Sequence, residues 1–563
     1  MPTASHSWTS LIGLGLGLTL RRRVAYLSDL GARRRDTAQT QLAQLRALLR
    51  AARRTEFGLA HRFERLAALP DGDLLRAYQA SLPPAEYAAF AGPLAQMRQH
   101  ARPDVLWPGL VRHFAQTSGT TAGDKFIPVS KQMLRSNYRA ALDIFAHAVR
   151  FGVRLPWLLG GKSLFLGGST TLEVNEHGIA TGDLSGLVTP LIRWPISEIY
   201  LPGPEIALMS HWPSKLRAMA ARCLDQDVRM LNGMPSWALV LFERVLELAR
   251  AAGRKAGTIA DVWPNLGLFV HGGVNYAPFD ARVRTMLSGS PAGPDFAARV
   301  ELYPASEGFI AIQDTPAKPG LRLLTDIGNF YEFIPLERID DPAAPAFMCH
   351  QVDKGQRYVV CMSTCAGLWR YVIGDVVEFD SVPDAPAWAT GTAARAGDGP
   401  PRLRIVGRHR HFMNAFGENL IVEHIENAAA AASRATGLMI GEFTAAPVYP
   451  GPGRRAGLEL LLEVADPTPA PVNALAAFAD AFDRSLKAQN VDYTTKRTDS
   501  VGMAGPTVTP MPIGAVHRWL ASRGKLGGQH KVPRCANHRD YADALRGFAL
   551  AGPATPAPPA GRV

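Results

Sequence analysis

The stretch Thr-Ser-Gly-Thr-Thr-Ala-Gly-Asp-Lys-Phe-Ile-Pro-Val, at residues 117–129, decides how the rest of this chain is interpreted. Hydroxyls and backbone N–H groups in a glycine-containing turn donate hydrogen bonds to phosphate oxygens, and Lys125 adds a positive charge. The candidate phosphate-binding residues in this stretch are Ser118, Gly119, Thr120 and Thr121. The spacing is not the Walker pattern. A surface turn rich in Ser, Thr and Gly would have the same composition, so other motifs must separate the two interpretations.

Length and composition bound the class of protein. At 563 residues, with 47% hydrophobic and 20% charged residues, the chain is expected to fold into at least two globular domains. Its five cysteines are sparse and odd in number, which fits a reducing cytoplasm better than a disulfide framework. Cys361 and Cys365 lie close together, but no second Cys or His pair nearby completes a tetrahedral metal site.

The chain is basic, with a formal charge of +12 and a pI near 9.6. Most of the excess is arginine scattered among alanine-rich helices, which is typical of solvated faces, so no nucleic-acid partner is expected. The densest runs, at residues 21–23 and 33–35, leave open a flexible arm over residues 1–36 that contacts anionic partners. The apolar residues 11–20 are half the roughly 20 needed to cross a bilayer and precede their arginines, unlike a signal peptide. Stable membrane insertion is therefore not expected, and peripheral contact stays open.

The middle of the chain alternates between two patterns. Short β-rich runs at residues 162–166, 266–271, 300–303 and 357–362 are separated by helical segments at 131–151 and 235–252. This alternation predicts an α/β domain. Leucines and alanines at helical spacing in residues 37–54 predict a helix of an N-terminal cap.

A composition change predicts where a second domain begins. Residues 384–401 are rich in Pro, Ala, Gly and Asp, which favours a boundary or hinge there. We expect an N-terminal domain over residues 1–405 and a smaller α/β domain over 406–550, with a strand at 458–464 and a helix at 471–489. The Pro/Ala-rich residues 551–563 are expected to be disordered.

Two further motifs carry carboxylates at turns. Tyr303-Pro-Ala-Ser306-Glu307-Gly308 follows one strand and precedes another, so Glu307 is expected at a turn, where a carboxylate can hold Mg²⁺ beside substrate phosphates. A turn-capping Glu is the alternative. In Trp369-Arg370-Tyr-Val-Ile-Gly-Asp375, the Asp follows a glycine turn and can accept both ribose hydroxyls. An ion pair between Arg370 and Asp375 closing a hairpin explains the same residues equally well.

The last two motifs lie near the predicted boundary and near the chain end. Residues 407–419, Gly-Arg-His-Arg-His-Phe-Met-Asn-Ala-Phe-Gly-Glu-Asn, combine charge with turn residues. Residues 527–534, Gly-Gly-Gln-His-Lys-Val-Pro-Arg, place Lys531 on a loop bounded by Gly and Pro. A mobile ammonium there could neutralise a phosphate or an attacking carboxylate. Alone, a lysine at such a position is usually solvated surface.

In order and spacing these motifs resemble the adenylate-forming superfamily of acyl-CoA synthetases, luciferases and peptide-synthetase adenylation domains. A closer resemblance is to the Gretchen Hagen acyl-acid amido synthetases, in a bacterial-type form suggested by the Ala/Arg-rich composition. It covers most of the chain, from about Thr55 to Arg534. The motifs that carry it lie at residues 117–129, 303–309, 331–335, 367–375, 490–497 and 529–534.

This resemblance implies a fold, a reaction and a set of site residues. The fold is α/β, a large N-terminal adenylate-forming domain with a smaller, mobile C-terminal α/β domain. The reaction uses ATP and Mg²⁺: a carboxylic acid becomes an acyl-AMP with release of pyrophosphate, and an amine or amino acid then forms an amide. Lys531 and Glu307 would be catalytic, with Glu307 holding Mg²⁺. Nucleotide would contact Ser118, Gly119, Thr120, Thr121, Tyr303, Ser306, Asp375, Gly272 and Gly273.

One departure and two alternatives belong to this interpretation. Plant members of the family carry a lysine in the stretch corresponding to residues 417–420, where this chain has Gly-Glu-Asn-Leu. An acyl-CoA synthetase would use a thiol acceptor in place of the amine. A non-catalytic nucleotide-binding scaffold would keep the fold without the chemistry, but such a protein is expected to lose at least one of Glu307, Asp375 and Lys531.

Overall fold

The chain folds into consecutive helices and strands. The computed structural model describes residues 8–117, 125–167, 172–209, 212–272, 276–316, 318, 320–389, 395–409, 412–413, 420–448, 455–464, 472–490, 493–494, 497, 503–523, 531–536 and 538–550. The chain divides into a larger unit, Met1–Tyr276, Asp280–His409 and Gly527–Gln529, and a smaller unit, Ala277–Phe279, Arg410–Leu526 and His530–Val563. The predicted boundary, between residues 405 and 406, lies just before His409.

The helices of the larger unit are α1 (Thr9–Ser28), α2 (Leu30–Ala52), α3 (Glu56–Ala60), α4 (Phe63–Ala67), α5 (Asp71–Ser81), α6 (Tyr87–Gln99), α7 (Lys131–Arg150), α8 (Leu155–Leu158), α9 (Leu184–Val188), α10 (Pro204–Ala207), α11 (Trp212–Cys223), α12 (Pro235–Ala251), α13 (Ile259–Val262) and α14 (Asp280–Ser288). The hydroxyl of Ser130 starts α7 by accepting a hydrogen bond from the N–H of Met133 at 2.9 Å, as an N-cap residue does. Helix α7 then packs across strands of the main sheet.

The strands of the larger unit are β1 (His113–Thr117), β2 (Lys125–Pro128), β3 (Lys162–Phe165), β4 (Glu173–Val174), β5 (Ala180–Gly182), β6 (Tyr200–Leu201), β7 (Val228–Asn232), β8 (Leu268–Gly272), β9 (Ala298–Ala305), β10 (Gly308–Ile312), β11 (Leu321–Leu323), β12 (Phe330–Pro335), β13 (Arg357–Ser363), β14 (Tyr371–Ser381) and β15 (Arg402–Arg408). Within the described residues, one sheet has eleven strands in the order β12-β13-β14-β15-β11-β10-β9-β8-β7-β3-β6. Another has the order β2-β1-β5-β4.

The large sheet changes character at β9. From β6 to β9 neighbouring strands are parallel, and from β9 to β12 they are antiparallel. The parallel part carries fully buried residues such as Val270 and Val300, because helices cover it. Residues 303–309 lie at the change between the two parts, where a turn joins β9 to β10.

The smaller unit contains β16 (Phe412–Met413), β17 (Leu420–Ile421), α15 (Val422–Thr436), β18 (Ile440–Val448), β19 (Gly457–Val464), α16 (Val472–Gln489), β20 (Thr507–Pro512), α17 (Ala515–Ser522) and α18 (Asp540–Leu550). Strand β19 pairs antiparallel with β18 and parallel with β20. Its residues are buried throughout, as the apolar run at 458–464 predicts. Helices α15 and α16 contact one another and enclose a core of their own.

The sequence leaves open a flexible arm over residues 1–36. In the structure, most of these residues are helical. Helix α1 packs on α7 and α8. The Arg23 guanidinium forms ion pairs with Asp143 at 2.6 Å and Asp326 at 2.5 Å, and Arg33 is buried. Two arginines of the predicted solvated clusters are therefore parts of the folded larger unit.

Residues 384–401 are a connection within the larger unit and not the boundary or hinge predicted there. They join β14 to β15, which are adjacent antiparallel strands. The Asp398 carboxylate accepts from the N–H of Val382 at 2.9 Å and pairs with Lys354 at 2.6 Å. Loop composition is the same for a connection between paired strands and for a linker between domains, so only the strand pairing distinguishes them.

Candidate functional site

The hydroxyl- and glycine-rich stretch begins and ends at two paired strands. Thr117 at the end of β1 lies opposite Lys125 at the start of β2, in an antiparallel pair. The predicted phosphate-binding residues Ser118, Gly119, Thr120 and Thr121 lie outside the described residues. Lys125 is described: its Nζ donates a long hydrogen bond of 3.5 Å to the hydroxyl of Tyr371 and lies 5.7 Å from the ring centroid of Tyr87.

Ser306 and Glu307 form the turn between β9 and β10, as the sequence predicts for Glu307. The strands pair directly across this turn, with Ala305 opposite Gly308, so the turn is tight. A Cβ atom at Gly308 would lie 2.8 Å from Nδ2 of Asn329, which explains why glycine follows the glutamate. Both Ser306 and Glu307 are buried.

The Glu307 carboxyl lies in an environment that disfavours its charge. Burial raises its pKa above the ordinary value, and the carboxylate of Asp375 adds to that rise. Lys125 and Arg408 act in the opposite direction, but burial is the largest effect. Glu307 in turn adds to the rise that burial causes in the pKa of the Tyr371 hydroxyl. A buried carboxylate whose charged form is disfavoured in this way is stabilised by a cation that binds next to it.

Asp375 lies at the centre of a second set of contacts. Its Oδ2 accepts a hydrogen bond of 2.6 Å from the hydroxyl of Tyr303, and its Oδ1 accepts one of 2.6 Å from Nε of Arg408. Tyr303 comes from β9, Asp375 from β14 and Arg408 from β15, where it lies opposite Asp375 in register. Burial and then Asp375 raise the pKa of Tyr303 well above its usual range, and the charge of Asp375 raises the pKa of Arg408.

Arg370 does not pair with Asp375, so that alternative is wrong. The Arg370 guanidinium binds Glu332 through two hydrogen bonds of 2.9 Å each, and both residues are buried. Arg370 has a positive φ of 46° and Gly374 one of 92°, so the backbone turns sharply on both sides of β14's first residues. The turn at Gly374 directs the Asp375 side chain toward Tyr303, and the Gly374 carbonyl accepts from the N–H of His409 at 2.9 Å.

Gly272 ends β8, where a side chain cannot fit. A Cβ atom there would lie 2.5 Å from the Leu302 carbonyl oxygen of the neighbouring strand β9. The close approach of β8 to β9 therefore accounts for Gly272 without reference to a ligand. Gly273 lies outside the described residues.

Lys531 belongs to the smaller unit and is exposed. The chain directly after it is anchored: the Arg534 guanidinium pairs with Glu442 at 2.8 Å and with Glu426 at 3.6 Å. Cys535 forms a β-bridge with Ala445. Lys531 thus precedes a fixed attachment point of the smaller unit, while residues 524–530 before it lie outside the described part of the chain.

Two contributors to the site were not assigned from sequence. They are Arg408 and Tyr371, which lie within the motifs at residues 407–419 and 367–375. The apolar alternation of residues 371–381 and 402–408 predicts strands, but no spacing in one sequence reports which residues of two strands lie opposite each other. The pairing of β14 with β15 is what brings Arg408 to Asp375.

The described residues contain no group of three or more His, Cys, Asp or Glu arranged to hold a metal ion. The five cysteines, which all lie within the described residues, are buried and form no disulfide bond. Of the described part of the chain, no helix is both long enough and apolar enough to cross a bilayer.

Most of the chain matches the three domains of one protein family. The GH3 family N-terminal domain matches residues 27–192 and 172–292, the GH3 family central domain matches 322–388, and the GH3 family C-terminal domain matches 423–540. The central-domain match includes Asp375, and the C-terminal match includes Lys531.

Among characterised relatives, an indole-3-acetic acid-amido synthetase of Oryza sativa subsp. indica is 23% identical over 401 residues, covering 68% of this chain and 56% of that protein. An indole-3-acetic acid-amido synthetase of Arabidopsis thaliana is 26% identical over 352 residues, covering 56% of this chain and 52% of that protein. The chain thus spans about half the length of these curated relatives in the aligned regions.

A solved acyl acid amido synthetase superposes with a TM-score of 0.71 at 15% sequence identity, covering 93% of this chain and 96% of that chain. At this identity the likeness concerns the fold. It confirms the predicted fold class, an α/β adenylate-forming architecture with a large N-terminal and a smaller C-terminal domain.

Proposed function

This chain belongs to the GH3 family, and we propose that it is an ATP-dependent acid-amine ligase. A carboxylate oxygen of the acid attacks the α-phosphorus of ATP, the bond to the leaving pyrophosphate breaks, and an acyl-AMP forms. An amine or amino acid then attacks the acyl carbon, AMP leaves with the electron pair of the broken C–O bond, and the amine nitrogen gives up a proton. The product is an amide.

The observation that carries this proposal is that residues of four sequence motifs meet in the larger unit. Lys125 at the end of the phosphate stretch faces Tyr371 beside Glu307, and Tyr303 and Arg408 hold Asp375 from two sides. Adenylation needs charge neutralisation and alignment of the reacting groups more than it needs a protein nucleophile. A set of one lysine, one arginine and two buried carboxylates at a strand end supplies groups of the kinds that this reaction requires.

Each residue has a proposed task. Asp375 accepts hydrogen bonds from the ribose hydroxyls. Tyr303 and Arg408 fix the orientation of its carboxylate for this contact. Ser118, Gly119, Thr120 and Thr121 bind phosphate oxygens, and Lys125 adds positive charge. Ser306, Gly272 and Gly273 contact the nucleotide. Lys531 neutralises charge on the attacking carboxylate and the α-phosphate during adenylation.

Glu307 is the proposed protein ligand for Mg²⁺. Burial raises the pKa of the Glu307 carboxyl, which means that its charged form is disfavoured in the folded protein. A cation bound to the carboxylate would offset this unfavourable free energy. A magnesium ion bound there with ATP would supply neutralisation of phosphate charge. Glu307 itself would hold the ion with a carboxyl that folding has already removed from bulk water.

Two further properties are part of the proposal. The five buried cysteines, which form no disulfide bond, are compatible with a reducing cytoplasmic location. The smaller unit, which carries Lys531, is proposed to be mobile between the two half-reactions, because adenylation and amide formation require different groups near the acyl carbon.

The test is ATP-pyrophosphate exchange with a panel of aryl, indole and aliphatic acids, followed by mass spectrometry of products formed with mixed amino acids and with coenzyme A. Acid-dependent exchange and an amide product support the proposal. A thioester with coenzyme A in place of the amide would make the chain an acyl-CoA synthetase, and no exchange with any acid would favour a nucleotide-binding scaffold.

The matched variants are Lys531→Ala and Lys487→Ala, both lysines of the smaller unit; Lys487 pairs with Asp483 at 2.7 Å on helix α16. Lys531→Ala is expected to lower exchange by about 10²-fold to 10³-fold, the usual effect of removing one charge-stabilising group. Lys487→Ala should leave exchange near the wild-type rate. Equal activity of the two variants would remove Lys531 from the proposed mechanism.

A further inference from the structure

Helix α1 presents large apolar side chains to solvent although its other side is packed. Thr9, Gly13, Leu20 and Leu27 are buried against the larger unit. On the outside, Leu11 is 67% exposed, Leu14 53% and Leu18 51%. At about 100° per residue, the outward residues 8, 11, 14 and 18 fall within about 120° of the helix circumference, opposite the buried set. The outside of α1 is therefore a continuous apolar stripe.

A second segment of the larger unit extends this stripe. The ring of Trp8 stacks on that of Trp194, with centroids 6.1 Å apart and planes 15° from parallel. Trp194 is 71% exposed and its neighbour Ile196 is 45% exposed. We call the six residues of this surface the apolar face: Trp8, Leu11, Leu14, Leu18, Trp194 and Ile196. Exposed tryptophans grouped with leucines are uncommon on a surface that meets only water.

Most charged residues next to the apolar face are basic. Arg21 and Arg22 are exposed on α1 about one turn after Leu18, and Arg193 is exposed beside Trp194. No Asp or Glu occurs from Trp8 to Ser28, and Glu198 is the one acidic residue from 189 to 198. On the helical projection, Arg21 lies just outside one edge of the apolar stripe, and Arg22 continues the arc of the stripe one turn beyond Leu18. The surface thus combines exposed tryptophan and leucine with a cationic border.

We propose that the apolar face is a docking surface for an anionic lipid bilayer, on which α1 lies in the plane of the interface. A helix bound in this way inserts its apolar side into the boundary between headgroups and acyl chains while basic residues contact anionic headgroups. Tryptophan rings favour this region because they are apolar with one polar N–H. The proposal concerns none of the residues assigned to the reaction and does not depend on the ligase activity.

Length and charge favour a lipid surface over a second copy of the chain. Two copies meeting through the apolar face would bring Arg21, Arg22 and Arg193 of each copy together, which repels. An anionic bilayer offers opposite charge to the same residues. Leu11 to Leu18 spans about 10 Å along the helix, a length suited to shallow insertion and well short of a membrane crossing.

The experiment is sedimentation of the full-length protein with vesicles of phosphatidylcholine alone and of equal parts phosphatidylcholine and phosphatidylglycerol. Binding is expected to the anionic vesicles only and to fall as salt is raised. The triple variant Leu11→Ser, Leu14→Ser and Leu18→Ser should lose at least about tenfold in partitioning. Leu59→Ser is the matched control, because Leu59 is 66% exposed on another helix of the larger unit.

A second variant leaves the helix interior and its leucines unchanged. Arg21→Gln with Arg22→Gln should lower binding by about fivefold for each arginine removed. Thermal melts and ATP-pyrophosphate exchange report whether each variant is folded. Equal binding to both vesicle types, or no binding by the folded wild type, would overturn the proposal. So would a dimer, seen by light scattering, that becomes monomeric in the leucine variant.

Discussion

The hydroxyl of Tyr303 donates a 2.6 Å hydrogen bond to Oδ2 of Asp375, joining β9 to β14 across 72 residues of sequence. Tyr493 makes a bond of the same length to Asp483 in the smaller unit. The two bonds share chemistry and burial, but only the first involves a residue proposed to bind ribose. They are therefore a natural pair for separating a role in nucleotide binding from a role in stability.

Tyr303→Phe should raise the KM for ATP about fivefold, because Asp375 loses one of the two donors that fix its carboxylate. Tyr493→Phe removes an equivalent bond and should lower the melting temperature without changing the KM for ATP. Steady-state kinetics and thermal melts on both variants check this. If Tyr303→Phe changed only stability, the contact would be structural.

Arg408→Gln should weaken ATP binding more than Arg404→Gln. Both arginines lie on β15 and pair with a carboxylate of β14 at 2.6 Å, Arg408 with Asp375 and Arg404 with Glu378. Loss of Arg408 leaves the buried Asp375 without its cation, whereas Glu378 is part of a peripheral pair. We expect about a tenfold difference in the dissociation constant for ATP, measured by calorimetry. Equal affinities would argue against the role given to Arg408.

Glu307→Gln should stabilise the ligand-free protein while removing metal-dependent exchange. Burial raises the pKa of Glu307, so between its ordinary pKa and the raised value the folded state holds more protons than the unfolded state. Stability contributed by this group is therefore present at low pH and is lost as pH rises through the folded pKa. The gain from Gln should be larger near neutral pH than in acid, measured by thermal melts at both.

The activity of the same variant gives an independent result. If Glu307 binds Mg²⁺, exchange in Glu307→Gln should fall by at least about 10²-fold and recover in part at high Mg²⁺. Glu332→Gln is not a suitable control, because it would strand the buried Arg370. Glu378→Gln changes a carboxylate on β14 away from Glu307 and should retain exchange. Unchanged metal dependence in Glu307→Gln would contradict the assignment.

Arg23 and Arg33 should respond oppositely to replacement by methionine. Arg23 is paired with Asp143, whose side chain is only 2% exposed, so Arg23→Met leaves a buried carboxylate and should cost about 3 kcal/mol. Arg33 is buried, its Nη1 has no hydrogen-bond partner in the structure, and burial lowers its pKa to about 10. Arg33→Met should be neutral or stabilising. Denaturant melts of the two variants distinguish these outcomes.

Three buried histidines should make the larger unit sensitive to acid. Burial, with nearby arginines, lowers the pKa of His147 and His271 to about 3 and that of His350 to about 4. Because the unfolded chain protonates these groups near pH 6.5, stability is full above that value and falls as pH drops below it. Each residue contributes up to about 1.4 kcal/mol per pH unit.

His271→Phe is the variant that checks this, since both ring nitrogens of His271 lack hydrogen-bond partners in the structure. It should flatten the loss of stability between about pH 6.5 and pH 4.5, measured by denaturant unfolding. His177→Phe, at an exposed turn, should leave the slope unchanged. An equal effect of both variants would show that burial of His271 is not the cause.

The sequence predicted most elements because local patterns are sufficient for them. The runs at 131–151, 235–252, 357–362 and 458–464 correspond to α7, α12, β13 and β19, since periodicity and capping act over a few residues. The turn at Glu307 followed from two strand-like runs with Ser-Glu-Gly between them. Composition was a poorer guide at 384–401, where the loop connects paired strands of one unit.

The amino-acid sequence by itself determined the motifs, their order and the resemblance that names the chemistry, because these are properties of the chain read in one dimension. Only the tertiary structure decided the partners. Arg370 binds Glu332, Asp375 binds Tyr303 and Arg408, and Arg33 is buried with no hydrogen-bond partner for its Nη1 among the described residues. Such choices depend on strand register and on which side chains lose water on folding, and both arise from contacts between residues far apart in sequence.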